Sequence, residues 1–128
     1  MPQWDREPTP TAYTRPHAAL HDVIREVGLE VEDEVRFGSY RVDCYLPEVH
    51  AAVECDGPTH RGSKARYRDY VRDGWLAREA ALPVLHVPAA DLATVAGRAT
   101  VAGRVRRFAE AWGSSRDIRR GRAAVWGA

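Results

Sequence analysis

The sequence has little lysine and no asparagine: Lys64 is its one lysine, and the other eighteen basic residues are arginines. It also lacks a long hydrophobic stretch, since no segment approaches the roughly 18 consecutive apolar residues of a membrane-spanning helix. Residues 1–13 combine three prolines with acidic residues, which excludes a secretory signal and predicts a flexible arm. We therefore expect a cytoplasmic protein, bacterial or phage-encoded and nucleoid-associated, that has no membrane partner.

Cysteine is scarce as well, with Cys44 and Cys55 alone. Two cysteines exclude a disulfide-rich secreted scaffold, and a single disulfide between them remains an alternative to two buried thiols. A structural zinc site that adds His50 and His60 is a weaker alternative, because the sequence has no C-x-x-C pair and these side chains are expected on opposite faces.

The net charge of +1 conceals an uneven distribution of charge. Residues 1–63 carry 6 basic and 12 acidic side chains, whereas residues 64–128 carry 13 basic and 6 acidic ones. A basic half beside an acidic cluster is typical of a metal-using nucleic-acid enzyme, since arginine binds phosphate in a bidentate way. The alternative is that an arginine-rich, lysine-poor composition reflects a GC-rich genome.

Alternating apolar and polar residues predict a β-hairpin over residues 40–55. Its strands are Tyr40–Leu46 and Val49–Cys55, joined by a two-residue turn at Pro47-Glu48. That turn would place Asp43 opposite Ala52. Because side chains alternate faces along a strand, the apolar residues of the hairpin share one face. They are Val42, Cys44, Leu46, Val49, Ala51, Val53 and Cys55.

Three carboxylates, Asp43, Glu54 and Asp56, share the opposite face of this hairpin. Glu54 would lie diagonal to Asp43, roughly 7–8 Å away at the backbone, close enough for both to bind one ion. Clustered carboxylate oxygens are the ligands that Mg²⁺ requires, with Mn²⁺ as an alternative ion. The competing interpretation is a solvated hairpin face, although strands disfavour aspartate.

The remaining pattern predicts an α/β sandwich with a mixed sheet of about four strands flanked by helices, in the order α-β-β-β-α-β-α. We expect a single domain over residues 14–112, followed by a mobile basic tail over residues 113–128. The elements outside the hairpin are a helix from Pro16 to Gly28, a strand Val31–Phe37, a helix Lys64–Ala81, a buried strand Pro83–Val87 and a final helix that ends at Trp112. We expect Asp91 to cap this final helix and Val95 to lie on its inner face.

Several side chains near the hairpin could take part in phosphate chemistry. His60 follows the Gly57-Pro58 turn and could transfer a proton, although a loop histidine is commonly just solvent-exposed. Arg61 and Lys64 could contact phosphate or could be ordinary helix-flanking charges. Asp73 could face the hairpin or belong to a solvated helix face, as Asp69 does. The basic candidates for nucleic-acid binding are Arg61, Lys64, Arg68, Arg72, Arg119 and Arg120.

The string D-x10-E-x-D-G-x-x-H from Asp43 to His60, with the later LPVLHVPAADL, resembles a known family. It is similar to the very-short-patch-repair-like branch of the PD-(D/E)XK nucleases, to small bacterial and phage relatives, and to the E-D-x-H-D homing endonucleases. The resemblance covers roughly residues 14–92. It implies a restriction-endonuclease-like core, magnesium-dependent DNA cleavage and an acidic metal site on the hairpin.

By this resemblance Asp43 is the central metal-binding aspartate, and Glu54 and Asp56 are the acidic positions on the next strand. His60 matches the histidine after the turn, and Asp73 an acidic position on the following helix. Two departures are visible. Asp56 replaces the lysine of the standard nucleases, and His17 stands where the first helix usually offers a glutamate, so it would act as ligand or base or leave the site impaired.

We therefore expect a Mg²⁺-dependent endodeoxyribonuclease of nicking or homing type, acting on DNA rather than RNA as a monomer or homodimer. Asp43, Glu54 and Asp56 would bind the metal, with His60 and Asp56 positioning or activating water. The alternatives are a non-catalytic nucleic-acid-binding module on the same fold and a nuclease that acts only within a defence or toxin complex.

Overall fold

The computed structural model describes residues 14–57 and 62–125. The predicted N-terminal arm over residues 1–13 lies outside this part of the chain. The elements are α1 (Thr14–Glu26), β1 (Glu32–Phe37), β2 (Tyr40–Leu46), β3 (Ala51–Asp56), α2 (Ser63–Glu79), β4 (Val84–Pro88), a 3-10 helix (Ala89–Ala93), α3 (Val95–Gly113) and α4 (Arg116–Val125).

The four strands form one mixed sheet in the order β1-β2-β3-β4. The first three strands are antiparallel, and β3 runs parallel to β4, to which α2 provides the crossover. The expected α/β architecture with a mixed four-stranded sheet and flanking helices is confirmed. No helix within the described ranges has both the length and the apolar character needed to cross a membrane.

Two apolar clusters cover the two faces of the sheet. On one face α1 and α3 pack against Cys44, Ala51 and Val53, and on the other α2 packs against Val42 and Ala52. Ala51, Ala52 and Val53 are all fully buried because consecutive residues of β3 point into different clusters. This strand therefore lies at the centre of the fold, and its C-terminal end carries the acidic residues Glu54 and Asp56.

The register of the hairpin differs from the predicted one by two residues. Leu46 pairs with Ala51 and Tyr45 with Ala52, so residues 47–50 form a four-residue turn. His50 in this turn has a positive φ of 52°. A shift of two residues preserves the face on which each β3 side chain lies, because the side-chain period of a strand is two. It also brings Asp43 next to Glu54 instead of Ala52.

A local distortion of the sheet occurs at Glu34 on β1. Paired residues run from Asp33 with Cys44 to Val35 with Val42, whereas Glu34 adopts a φ of 52° between them. No residue is inserted at this point, because the register is the same on both sides of Glu34, but the side-chain alternation of both strands changes across it. Val42 consequently packs with the α2 cluster, which corrects the prediction that it shares a face with Cys44.

Glycine is required at two close contacts, one between α2 and the turn that joins β1 to β2, and one between α3 and the 3-10 helix. Gly38, at φ 62°, lies under the Trp75 ring of α2, where an added Cβ would approach the ring to 2.4 Å. A Cβ on Gly97 in α3 would lie 2.0 Å from the carbonyl oxygen of Asp91. Thr94, rather than Asp91, caps α3 by accepting a hydrogen bond from the Gly97 amide at 2.9 Å.

The C-terminal region corrects the expectation of a mobile tail after residue 112. Residues 116–125 form α4, and the buried Arg119 guanidinium donates hydrogen bonds to the backbone carbonyls of Val49, His50 and Trp112. Arg119 therefore joins α4 to the hairpin turn and does not contribute to a nucleic-acid surface. Val95, predicted on the inner face of α3, is 87% exposed.

Candidate carboxylate, arginine and histidine site

Asp43 and Glu54 interlock the strands β2 and β3 through their side chains. The Asp43 amide donates to Glu54 Oε2 at 2.7 Å, and the Cys55 amide donates to Asp43 Oδ2 at 3.0 Å. Each carboxylate thus accepts a hydrogen bond from the backbone of the opposite strand, beyond the last regular pair at Cys44 and Val53. The two acidic groups predicted as metal ligands are held close together by the hairpin itself.

Glu54 is a buried acid, with 8% of its side chain exposed. Burial raises the pKa of its carboxyl, and the nearby charge of Asp43 raises it further. The Arg72 guanidinium and the hydrogen bond from the Asp43 amide act in the opposite direction without cancelling the increase. Glu54 is therefore a carboxylate whose charge is costly without an adjacent cation.

Arg72 supplies such a cation from α2. Its Nη2 lies 2.9 Å from Glu54 Oε1 and 3.2 Å from Asp73 Oδ1, so one guanidinium joins two carboxylates. Burial alone would lower the pKa of Arg72, but the charges of Glu54 and Asp73 outweigh it and raise that pKa. Arg72, offered above as a phosphate contact, is here directed into the protein.

His86 is the second cation of the group. It pairs in register with Glu54 across the parallel strands β3 and β4, which places it on the same face. Its Nδ1 lies 3.0 Å from Asp56 Oδ2, and its Nε2 donates to Asp73 Oδ2. Hydrogen bonds to these two carboxylates raise the pKa of His86 to about 10, against the effect of burial. His86 is therefore an imidazolium at neutral pH.

Asp73 completes the group by accepting from both cations. Burial favours its neutral form, but the hydrogen bonds and charges of His86 and Arg72 lower its pKa overall. Of the two alternatives left open for Asp73, its contact with His86 of β4 favours a side chain that faces the sheet over one on a solvated helix face. The site thus contains the four carboxylates of Asp43, Glu54, Asp56 and Asp73 around two cationic side chains, and it keeps a formal excess of negative charge when all four are ionised.

The other predicted site residues lie elsewhere. His17 of α1 lies on the opposite face of the sheet, 3.5 Å from Asp33, so the structure does not bring it to the carboxylate group. Lys64 and Arg68 are exposed on α2, and Arg120 is exposed on α4. His60 and Arg61 lie outside the described residues, three and four positions after Gly57 in the sequence.

The sequence alone assigns no role to His86, which lies in the predicted strand Pro83–Val87. Its partners are Asp56, thirty positions earlier, and Asp73, thirteen positions earlier. The available signal was its position in a short apolar strand expected beside the hairpin, where a single polar residue must find a polar partner.

Comparisons of the chain with protein-family models, with curated proteins and with solved structures gave no match.

Proposed function

We propose that this protein is a metal-dependent DNA endonuclease of the very-short-patch-repair-like type, with its site on the α2 face of the hairpin. The observation that carries the proposal is the interlocked pair of Asp43 and Glu54, two adjacent acids fixed by backbone hydrogen bonds at the polar end of a buried strand. A pair of like charges held this rigidly favours a cation as its ligand.

The donor atoms fit a hard divalent cation. Asp43 and Glu54 offer only carboxylate oxygens, which Mg²⁺ and Mn²⁺ prefer. A bound Mg²⁺ would neutralise charge that develops on the scissile phosphate and would lower the pKa of an attacking water. Both Asp56 oxygens lie within hydrogen-bonding distance of His86 Nδ1. Among the three expected metal ligands, Asp43, Glu54 and Asp56, the structure therefore gives Asp56 the least support.

The protein's own side chains divide into two roles in this proposal. Arg72 and His86 hold Glu54, Asp73 and Asp56 in position through ion pairs. Phosphate contacts fall to the exposed cations Lys64 and Arg68 on the same helix α2. Proton transfer by His60, which follows β3 in the sequence, stays a prediction. DNA is the proposed partner, because the family resemblance implies it.

A non-catalytic nucleic-acid-binding module is the second candidate, and one observation favours it. Arg72 and His86 already compensate much of the acidic charge, as structural ion-pair networks do in proteins without a metal. In that case the carboxylates organise the fold, and the exposed basic residues alone bind the backbone of the nucleic acid.

Cleavage of supercoiled plasmid separates the two candidates. Wild type would be assayed with Mg²⁺ and with EDTA, beside Asp43→Asn and the control Asp117→Asn, whose side chain is 85% exposed on α4. An enzyme nicks or linearises the plasmid only with Mg²⁺, loses activity with Asp43→Asn and keeps it with Asp117→Asn. Intact plasmid in every lane, with a gel shift of the same DNA, would instead identify the binding module.

A further inference from the structure

The face of the sheet opposite the carboxylate group carries a second cluster of potential ligands. Asp33 on β1 and Cys44 on β2 are register partners, so their side chains project on the same side of the sheet. His17 and His21 lie one turn apart on α1, where a spacing of four residues places both imidazoles on one helix face. Three separate elements therefore bring these four side chains together.

The distances within this cluster fit the ligands of one ion as well as they fit His–Asp ion pairs. His17 Nε2 lies 3.5 Å from Asp33 Oδ1, and His21 Nε2 lies 3.6 Å from Asp33 Oδ2. Both exceed ordinary hydrogen-bond lengths. Ligand atoms around a tetrahedral ion with bonds of about 2.0–2.3 Å are roughly 3.3–3.8 Å apart, which matches the observed spacing.

The Cys44 sulfur is the fourth donor, and it lies close to donor atoms of His17 and Asp33. One ligand atom from each of His17, Asp33 and Cys44 lies within 4.8 Å of the others, the one such triple among the residues that the structure describes. Cys44 is fully buried, whereas half of the Asp33 side chain is exposed. The cluster thus has a thiol at its base and a carboxylate open to solvent, which provides an entry path for an ion.

We infer that His17, His21, Asp33 and Cys44 form a binding site for a borderline transition-metal ion such as Zn²⁺. Two imidazole nitrogens, one thiolate and one carboxylate oxygen suit Zn²⁺ or Co²⁺ and do not suit Mg²⁺. The site joins α1 to β1 and β2, so the ion stabilises the edge of the sheet. The inference does not rest on the proposed nuclease function, since neither Asp43 nor Glu54 belongs to this set.

The free Cys55 provides the matched control. It is the other thiol of the same hairpin and lies near Asp43 and Asp56, but it is absent from the ligand cluster. A metal that binds thiols without geometric selection would use Cys55 at least as readily, because Cys55 is half-buried and Cys44 is fully buried. Dependence on Cys44 alone would identify the built site.

The test is a titration of the metal-free full-length protein with Co²⁺, followed by absorption spectroscopy and then by Zn²⁺ competition. We expect a thiolate-to-Co²⁺ charge-transfer band in the near ultraviolet and tetrahedral d–d bands in the visible. Cys44→Ala should remove the charge-transfer band, and Cys55→Ala should leave it unchanged. His17→Gln and His21→Gln should each weaken Co²⁺ binding by about tenfold or more.

Three results would overturn the inference: no charge-transfer band in wild type with excess Co²⁺, a band lost with Cys55→Ala but kept with Cys44→Ala, or unchanged affinity in both histidine variants. The histidine side chains are about a quarter exposed, so their variants should fold. They therefore provide the test if Cys44→Ala, which changes a fully buried residue, does not fold. Asp43→Asn should keep the thiolate-to-Co²⁺ charge-transfer band of wild type, which separates this site from the carboxylate group.

Discussion

Arg72 Nη2 lies 2.9 Å from Glu54 Oε1, and this ion pair connects α2 to the central strand of the sheet. The two side chains are 17% and 8% exposed, so the pair is largely shielded from water. Burial nevertheless keeps the pKa of Glu54 raised. The guanidinium is therefore needed to hold an acid whose surroundings favour its neutral form.

We predict that Arg72→Met destabilises the protein by about 3 kcal/mol at neutral pH, because it leaves the Glu54 charge buried without a partner. The deficit should be smaller near pH 4.5, where Glu54 of the variant takes up a proton, since a raised pKa penalises the folded state only above the unfolded value. Urea unfolding of wild type and Arg72→Met at both pH values measures this difference in the free energy of unfolding.

Two companion variants control this experiment. Arg68→Met removes an exposed arginine from the same helix and should change the free energy of unfolding by less than about 0.5 kcal/mol. Arg72→Met combined with Glu54→Gln removes both charges and should recover much of the loss. Equal effects of Arg68→Met and Arg72→Met would show that the buried ion pair contributes no more to stability than an exposed arginine does.

The second prediction concerns pH and His86. Its folded pKa of about 10 lies above the ordinary value of 6.5, so the imidazolium contributes stability that is complete below pH 6.5 and is lost as pH rises through about 10. The difference in unfolding free energy between wild type and His86→Gln should shrink across this range. Titrating groups that do not contact His86 are common to both proteins and cancel, and a difference independent of pH would refute the assignment.

Arg119 is predicted to be a structural residue. Arg119→Met should destabilise the protein by about 3 kcal/mol, because three backbone carbonyls lose a charged donor and Trp112 loses the guanidinium that lies 5.3 Å from its ring. Arg122→Met, in the exposed part of the same helix, should be nearly neutral. Thermal unfolding compares them, and similar melting temperatures would contradict the docking of α4.

Local pattern was sufficient to predict the elements and much of the hairpin. The alternation of residues 40–46 gave the bounds of β2. The carboxylates of Glu54 and Asp56 were correctly placed on one face, because a register error of two residues leaves the faces unchanged. The predicted two-residue turn was wrong, since residues 47–50 form a four-residue turn in which His50 has a positive φ.

Contacts between distant residues could not be predicted from local pattern. The ion pair of Arg72 with Glu54 depends on how α2 crosses the sheet, and the Arg119 contacts depend on α4 folding back over sixty-nine positions to His50. Periodicity gives a helix face but not the partner of a charged side chain. The basic sequence after residue 112 therefore resembled a tail, although its one buried arginine anchors a helix.

The decisive measurement is the rate at which wild type and Asp43→Asn nick supercoiled DNA in saturating Mg²⁺, with DNA affinity measured for both. We predict Mg²⁺-dependent nicking that falls by at least about a hundredfold in Asp43→Asn while DNA affinity is retained. Equal nicking rates in the two proteins, or DNA binding by wild type without any nicking, would contradict it.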